Sequence, residues 1–347
     1  MDRRLFLKLL SASGSLVLAG CAGGGGESEA PVAPEGDSEP AGTDEVAEPT
    51  AVRVAALKGP TAMGMVKLMC DAMAGPVEGN EYSFEILAAP DELTPKVFKG
   101  EVDIACVPAN LAAVLYSKTE GGVRACAINT LGVLYICEKG DTIHEVADLA
   151  GRTIYASGKG ATPEYALQYV LDGVGLADSV PVEWKSEHAE CVAALANDPA
   201  GVAMLPQPFV TVAQTQDEGI RVALDLNEEW ATVAKSSGSD AALVTGATIV
   251  RAEFAFGHPE AFAGFMGQYA ASVDWVNANT DEAAALIGGY DIIAEPVAKK
   301  ALPHCNIVCI TGDELRTMLD GYLNVLYDAN PEAVGGSVPG EGFYTLP

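Results

Sequence analysis

Residues 52–61 read Val-Arg-Val-Ala-Ala-Leu-Lys-Gly-Pro-Thr, and residues 153–162 read Thr-Ile-Tyr-Ala-Ser-Gly-Lys-Gly-Ala-Thr. Both stretches start with residues that favour a β-strand and end in a Lys-Gly-x-Thr turn. A helix is predicted after each, because apolar residues recur at helical spacing after the first and Pro163 stands at the first helical position of the second. The repeat of strand, turn and helix indicates that two halves of the chain share one plan.

Strands and helices alternate along most of the remaining chain. Further strands are predicted at 82–88, 102–107, 123–129, 131–137, 180–184, 202–205 and 241–250. Further helices are predicted at 90–98, 110–117, 188–196 and 209–216, and the chain is predicted to be mainly helical from residue 258. This alternation is typical of an α/β fold in which mostly parallel sheets carry helices on both faces.

The strand–helix pattern starts again near residue 139, and the first unit resumes near residue 246. A second α/β unit is therefore predicted to be inserted into the first, with chain crossings near 131–137 and 245–250. Lobe 1 would comprise 51–138 and 246–347, and lobe 2 would comprise 139–245. The length of these segments suits two domains.

The two Lys-Gly-x-Thr turns are the first candidates for a binding site. In an open α/β sheet a ligand binds at the carboxyl ends of the strands, where helix N termini present unpaired N–H groups. Two such turns facing each other would offer helix dipoles, hydroxyl groups and ammonium groups to a polar or anionic ligand. The alternative is that Gly and Thr only form the turns and helix caps, while both lysines point to solvent.

The N terminus has the features of an export signal. The apolar run from Leu9 to Ala19 is too short to cross a membrane and is interrupted by Ser and Gly. It ends in Leu18-Ala19-Gly20-Cys21, which resembles the lipobox of bacterial lipoproteins, and residues 2–8 resemble a twin-arginine signature. The resemblance implies that residues 1–20 are a signal peptide and that Cys21 carries a lipid.

Residues 21–50 are then a lipidated cysteine followed by an acidic spacer. Residues 22–50 contain eight carboxylates and no basic or aromatic residue, a composition that favours a disordered tether. The whole chain has a formal charge of −28, which argues against a nucleic-acid partner.

Several stretches in this order resemble the solute-binding proteins of ABC transporters, in the branch that binds sulfonates, nitrate or thiamine-pyrimidine precursors. They are Gly100–Ala105, Asp148–Ile154, Val202–Pro208 and Gly335–Pro339, with Phe343 and Tyr344 near the end of the chain. The resemblance covers roughly residues 51–347. It implies a two-lobed periplasmic-binding-protein architecture of type 2, with a ligand cleft between the lobes.

The resemblance also implies a function and a set of contacts. The protein would be a lipid-anchored receptor on the outer face of the cytoplasmic membrane, which captures a small polar or anionic organic molecule and delivers it to a permease and its ATPase. Gln207 stands where relatives often have a carboxylate, so the charge of the ligand is open. The predicted ligand contacts are Lys58, Gly59, Thr61, Pro108, Asn110, Thr130, Lys159, Gly160, Thr162, Gln207 and Thr245. Thr130 and Thr245 are included because they stand near the predicted chain crossings, and the alternative for Asn110 is that it caps the helix that begins there.

Support for catalysis or cofactor binding in the sequence is weak. There is no Gly-x-Ser-x-Gly elbow, no Walker loop and no paired histidine spacing, and Asp103 in an apolar strand is expected to pair for structure. An enzyme of the same fold, such as a pyrimidine-precursor synthase or a dehydratase, remains the alternative.

We expect no metal, because Cys305 and Cys309 lack a second ligand pair. The state of the thiols is open for Cys70, Cys106, Cys126, Cys137, Cys191, Cys305 and Cys309.

Overall fold

The computed structural model describes residues 48–239 and 241–346, in which helices flank two β-sheets. The strands are β1 (Thr50–Leu57), β2 (Asn80–Leu87), β3 (Ile104–Pro108), β4 (Val123–Leu131), β5 (Leu134–Lys139), β6 (Ile154–Ser157), β7 (Val182–Lys185), β8 (Val202–Pro206), β9 (Ile220–Asp225), β10 (Val244–Arg251) and β11 (Ile307–Ile310). The helices are α1 (Pro60–Met63), α2 (Val66–Ala72), α3 (Pro90–Phe98), α4 (Ala109–Lys118), α5 (Thr162–Gly173), α6 (His188–Asn197), α7 (Phe209–Gln216), α8 (Leu226–Ser236), α9 (Ala252–Gly257), α10 (Pro259–Ala278), α11 (Thr280–Gly289), α12 (Glu295–Ala301) and α13 (Gly312–Ala329).

The two sheets share one strand order. The first runs β2-β1-β3-β10-β4-β11 and the second runs β7-β6-β8-β5-β9. Strand β1 pairs in parallel with β2 and β3, and β6 pairs in parallel with β7 and β8. The strands that precede the two Lys-Gly-x-Thr turns therefore occupy equivalent positions, which confirms the predicted repeat.

Both sheets are mixed, whereas the sequence predicted mostly parallel ones. Strand β10 is antiparallel to β3 and β4, and β5 is antiparallel to β8 and β9. Each of these two strands arrives from the other sheet. It therefore enters at the carboxyl ends of the parallel strands and runs against them.

The predicted boundary of the first lobe needs correction. Strand β5 pairs within the second sheet, although residues up to 138 were assigned to lobe 1. The chain passes from β4 to β5 through Gly132 and Val133, so the change of sheet comes at the start of β5. The return to the first sheet comes at the start of β10, close to the predicted residue 246.

Other differences concern elements that were merged with a neighbour or not predicted. The predicted first helix is two helices, α1 and α2, and neither β9 nor α8 was predicted. Strand β11 interrupts the C-terminal part that was predicted to be mainly helical. Strand β1 begins at Thr50, inside the predicted tether; residues 21–47 of that tether lie outside the described residues.

One hydrophobic cluster joins side chains of both sheets. It includes Ala55 of β1, Ile154 of β6 and Tyr322 of α13, all fully or almost fully buried. The ring of Trp230 in α8 packs 4.0 Å from Tyr169 and 5.9 Å from Tyr322, measured between centroids. Helix α13 thus packs against elements of both sheets. No helix in the described residues has the length and apolar character needed to cross a membrane.

Candidate functional site: a cleft at the carboxyl ends of both sheets

A cavity of about 470 Å³ lies where the carboxyl ends of strands from both sheets meet. Strands β1 and β3 lead into it from the first sheet, and β6 and β8 lead into it from the second. The residues that line it are Thr61, Pro90, Pro108, Asn110, Leu111, Val133, Leu134, Ala161, Thr162, Pro163, His188, Pro206 and Thr245. Five of the eleven predicted contacts are among them: Thr61, Pro108, Asn110, Thr162 and Thr245.

The first turn presents Thr61 to the cavity. Gly59 adopts φ +116°, a conformation that side chains with a Cβ rarely reach, and Pro60 then starts the four-residue helix α1. The Thr61 hydroxyl donates to the Leu57 carbonyl over 3.1 Å. Its oxygen keeps lone pairs for a ligand, since a hydroxyl can accept as well as donate.

The second turn presents Thr162, the first residue of α5. Its Oγ1 shares a 2.9 Å hydrogen bond with the hydroxyl of Tyr322, a fully buried side chain of α13. No side chain caps the N terminus of α5. In this first turn Pro163 has no N–H and the N–H of Glu164 donates to the Ala161 carbonyl, which leaves the backbone N–H of Thr162 as a donor at the cavity.

Asn110 and Thr245 are the other two predicted polar residues that line the cavity. Asn110 Nδ2 donates to the Ala333 carbonyl over 3.3 Å. Asn110 is not the cap of its helix, because Pro108 holds the cap position and no side chain caps α4. Thr245 stands at the second chain crossing, where it lines the cavity from the first residues of β10.

The other six predicted contacts do not line the cavity. Lys58 pairs with Asp291 at 2.7 Å, and Lys159 is exposed to solvent. Gly59 and Gly160 shape their turns. Both glycines thus form turns and neither lysine reaches the cavity in this structure, so a ligand contact by these four residues stays a prediction.

Thr130 and Gln207 are buried next to the cavity. Thr130 Oγ1 donates to Asn129 Oδ1 over 2.9 Å. Gln207 accepts a 3.0 Å hydrogen bond from the Thr211 hydroxyl, and its backbone N–H donates to the Val133 carbonyl. Both side chains form hydrogen bonds inside the protein. For this reason, neither the place of Thr130 near a chain crossing nor that of Gln207 after β8 brings the side chain to the surface of the cleft.

Sequence reasoning missed His188, a titratable residue of the cavity wall. It is the first residue of α6, directly after the turn that follows β7, so the rule that located the two threonines would also have located it. Its Nδ1 lies 2.5 Å from Ser157 Oγ, and its ring lies 4.9 Å from that of Phe209. Burial lowers the pKa of His188 from its usual 6.5. The apolar wall residues Leu111, Val133 and Leu134 were missed as well.

Asp103 lies at the opposite end of the first sheet from the cleft. It accepts hydrogen bonds from Arg53 Nε at 2.8 Å and Nη2 at 2.6 Å, and it pairs with Arg251 at 3.1 Å. Burial alone would raise the pKa of this carboxyl, but the hydrogen bonds from Arg53 outweigh it and hold the pKa below 3.8. The expectation that Asp103 pairs for structure is confirmed.

The seven cysteines of the described residues are all free thiols. Within residues 48–239 and 241–346, no group of three or more His, Cys, Asp or Glu side chains is placed to hold a metal ion. Burial raises the pKa of Cys106 to about 11 and that of Cys305 to about 12, so both remain protonated. These thiols act as packing groups of the core.

Solved structures with the same fold include binding proteins of ABC transporters. An ABC transporter protein from Parabacteroides distasonis superposes with a TM-score of 0.71 at 22% identity, over 85% of this chain and 99% of that one. The periplasmic aliphatic sulphonate binding protein SsuA from Escherichia coli gives 0.65 at 16% identity, over 83% and 96%. The desulfurization enzyme DszB gives 0.57 at 12% identity, over 86% and 96%.

These likenesses show that the chain has the two-lobed fold of periplasmic binding proteins, as predicted. Comparisons of the sequence with protein-family models and with curated proteins found no match.

Proposed function

We propose that this protein is the extracytoplasmic solute-binding component of an ABC importer. The observation that carries the proposal is the cavity between the carboxyl ends of two sheets with the same strand order. Each sheet contributes lining residues, so closing the lobes on a solute would bury it from both sides. The fold shared with an ABC transporter protein and with a sulphonate-binding protein supports this role.

The solute contacts in this proposal are the predicted residues that line the cavity, together with His188. Thr61, Asn110 and Thr245 belong to the first lobe, and Thr162 and His188 belong to the second. We place the lobes at 50–133 with 244–347 and at 134–243, following the strand pairing. The partners are a small organic solute, a permease and its ATPase.

We further propose that the protein is exported and anchored by a lipid on Cys21. Residues 1–47 lie outside the described residues, and the support is the sequence Leu18-Ala19-Gly20-Cys21 with the acidic spacer after it. Changing Cys21→Ser should move the protein from the membrane fraction to the soluble one. Membrane retention equal to wild type would refute the anchor, and Arg3→Lys with Arg4→Lys tests the twin-arginine route separately.

The test of function is identification of what the full chain binds. The purified protein is denatured, and the small molecules it releases are analysed by mass spectrometry. The released compound is then added back to stripped protein. Small-angle scattering should then show a more compact particle. Thermal unfolding should show a melting temperature that rises with solute concentration. Thr162→Val should weaken this binding, and Lys58→Met is the matched control outside the cavity.

The same samples distinguish a receptor from an enzyme. An enzyme on this fold is the second candidate, since DszB also shares the fold. Recovery of the added compound unchanged supports the receptor. Its conversion into a product would refute the receptor and favour the enzyme.

A further inference from the structure

The wall of the cleft carries no full charge at neutral pH. Among the described residues, those that form it are apolar, apart from three threonines, Asn110 and His188. Because burial lowers the pKa of His188 below 6.5, its imidazole is neutral at pH 7.5. Lys58 and Lys159, the two cations expected to contact a ligand, are not part of the wall.

A charged solute would therefore lose its hydration in the cleft without gaining a side chain of opposite charge, and an anion would find only backbone N–H groups at the helix N termini in return. Desolvating an unpaired ion costs several kcal/mol. An anion would in addition approach a protein whose formal charge is −28. A cation would find neither a carboxylate nor a Phe, Tyr or Trp ring among the described wall residues. An uncharged solute avoids both costs.

Ser157 determines which nitrogen of His188 can contact a solute. Ser157 is 3% exposed, and a buried hydroxyl has to place its hydrogen on an acceptor. Nδ1 of His188 is 2.5 Å away, whereas the nearby Cys191 offers only a weakly accepting thiol. We therefore assign Ser157 as the donor to Nδ1, which places the proton of the neutral imidazole on Nε2. Because Nδ1 is engaged by Ser157, Nε2–H is the imidazole donor left for the cleft that His188 lines.

Asn110 provides the complementary group on the other lobe. Its Nδ2 donates to the Ala333 carbonyl, and its Oδ1 has no hydrogen-bond partner in the described part of the chain. The cleft therefore combines one N–H donor from the second lobe with one amide oxygen acceptor from the first. A solute that accepts from His188 and donates to Asn110 would hold the two lobes together.

We propose that the cleft selects an uncharged organic solute that carries a carboxamide or lactam group on an apolar body, and that His188 recognises the acceptor of this group. Ser157 is the positioning residue that keeps the proton on Nε2. The inference rests on the proposed receptor function and deepens it by assigning the class of solute.

Three probes of similar size but different charge test the inference: benzamide, benzoate and benzylamine. Their affinities for the full chain at pH 7.5 are measured by ligand-observed NMR. Benzamide should bind at least about tenfold more tightly than either ion. His188→Leu should weaken benzamide binding about tenfold, as expected for one lost hydrogen bond, while His188→Gln, which keeps an N–H donor, should retain most of it. Ser157→Ala should weaken it less, and Lys58→Met should not change it.

Either ion binding to wild type as tightly as benzamide would overturn the inference. An equal benzamide affinity in wild type and His188→Leu, or no binding of any probe to wild type, would overturn it as well. Mass spectrometry of the copurified solute separates this inference from the proposed function. A copurified solute with net charge overturns only the inference, whereas conversion of the solute overturns the receptor function whatever its charge.

Discussion

The two Lys-Gly-x-Thr turns have the same four-residue pattern but different surroundings. In the first, Pro60 precedes Thr61, the helix that follows ends after four residues, and the threonine hydroxyl donates to the backbone of its own turn. In the second, Pro163 follows Thr162, the helix has twelve residues, and the hydroxyl reaches Tyr322 of the C-terminal helix α13. The first turn is held locally and the second by a contact distant in sequence.

The difference shows what a short motif can specify. The pattern placed both threonines at the cleft, because Gly at a strand end forces a turn there and the parallel strands end at one edge. The pattern did not specify where the lysine side chains lie, because a long side chain can pair with any carboxylate within its reach. Asp291, which pairs with Lys58, is far away in the sequence and no local pattern predicts it.

Away from the cleft the two lobes are alike. Each has one buried carboxylate held by arginine at the end of its sheet opposite the cleft. Asp103 pairs with Arg53 and Arg251, and Glu138 pairs with Arg221 while accepting the backbone N–H groups of Thr142 and Ile143. The two lobes are thus similar at their buried carboxylates and different at their Lys-Gly-x-Thr turns, and substitutions at both places can be ranked by their expected effect.

The largest effect is expected at the buried carboxylates. Asp103→Asn and Glu138→Gln each replace one acceptor oxygen by a donor that faces other donors, and each should lower the free energy of unfolding by about 3 kcal/mol. Because one core cluster joins both sheets, the two variants should shift the same cooperative transition in chemical denaturation. Separate transitions, each sensitive to only one variant, would show that the lobes unfold independently.

Both carboxylates should also make stability depend on acid. Burial tends to raise the pKa of each carboxyl. Hydrogen bonds from Arg53 hold the pKa of Asp103 below 3.8, and hydrogen bonds from Ile143, Thr142 and Arg221 hold that of Glu138 below 4.5. The folded state therefore binds fewer protons than the unfolded state, and this stability is lost as pH falls below about 4. Between about pH 5 and pH 3 the two variants should lose less stability than wild type does.

The next largest effect is expected at Gly246 in β10, which supports only the first turn. A Cβ at this position would lie 2.2 Å from Asn129 Oδ1 and 2.7 Å from Thr61 Cγ2, so Gly246→Ala should cost about 2 kcal/mol. It should also displace Thr61 and weaken solute binding. The control is Gly267→Ala in α10, where a Cβ meets nothing within 4 Å and a small gain in stability is expected. Normal stability of Gly246→Ala would mean that the first turn is not packed as described.

The sequence predicted most of the fold because strands buried on both faces and helices with one apolar face leave clear periodic patterns. It missed the short strands β9 and β11, and it missed α8 although Leu226, Trp230, Val233 and Ala234 recur there at helical spacing. It placed β5 in the wrong lobe because the strands predicted at 123–129 and 131–137 follow each other closely but belong to different sheets. At the cleft it found the threonines and Asn110 from strand ends. It included Thr130 and Gln207, whose burial depends on packing between distant segments.

A smaller effect is expected from the hydrogen bond that distinguishes the second turn. Tyr322→Phe and Thr162→Val should each cost about 1 kcal/mol of stability, because a buried hydroxyl loses its partner. The double variant should cost less than the sum, with the difference measured by a thermodynamic cycle in urea. Thr61→Val, whose hydroxyl bonds within its own turn, should add to Tyr322→Phe without coupling. Equal coupling for both threonines would contradict the distinction between the two turns.

The smallest effect is expected at Lys58, the residue that gives the first turn its likeness to the second. Its ammonium group pairs with Asp291, a carboxylate that is 94% exposed, and exposed pairs of this kind contribute between zero and about 1 kcal/mol. Lys58→Met should therefore change the free energy of unfolding by less than about 0.5 kcal/mol at moderate salt. Since Lys58 does not line the cavity, titration calorimetry with the copurified solute should give the wild-type affinity. A clear loss of affinity would mean that the lysine leaves Asp291 when the lobes close, and would restore the shared turn pattern as a shared binding element.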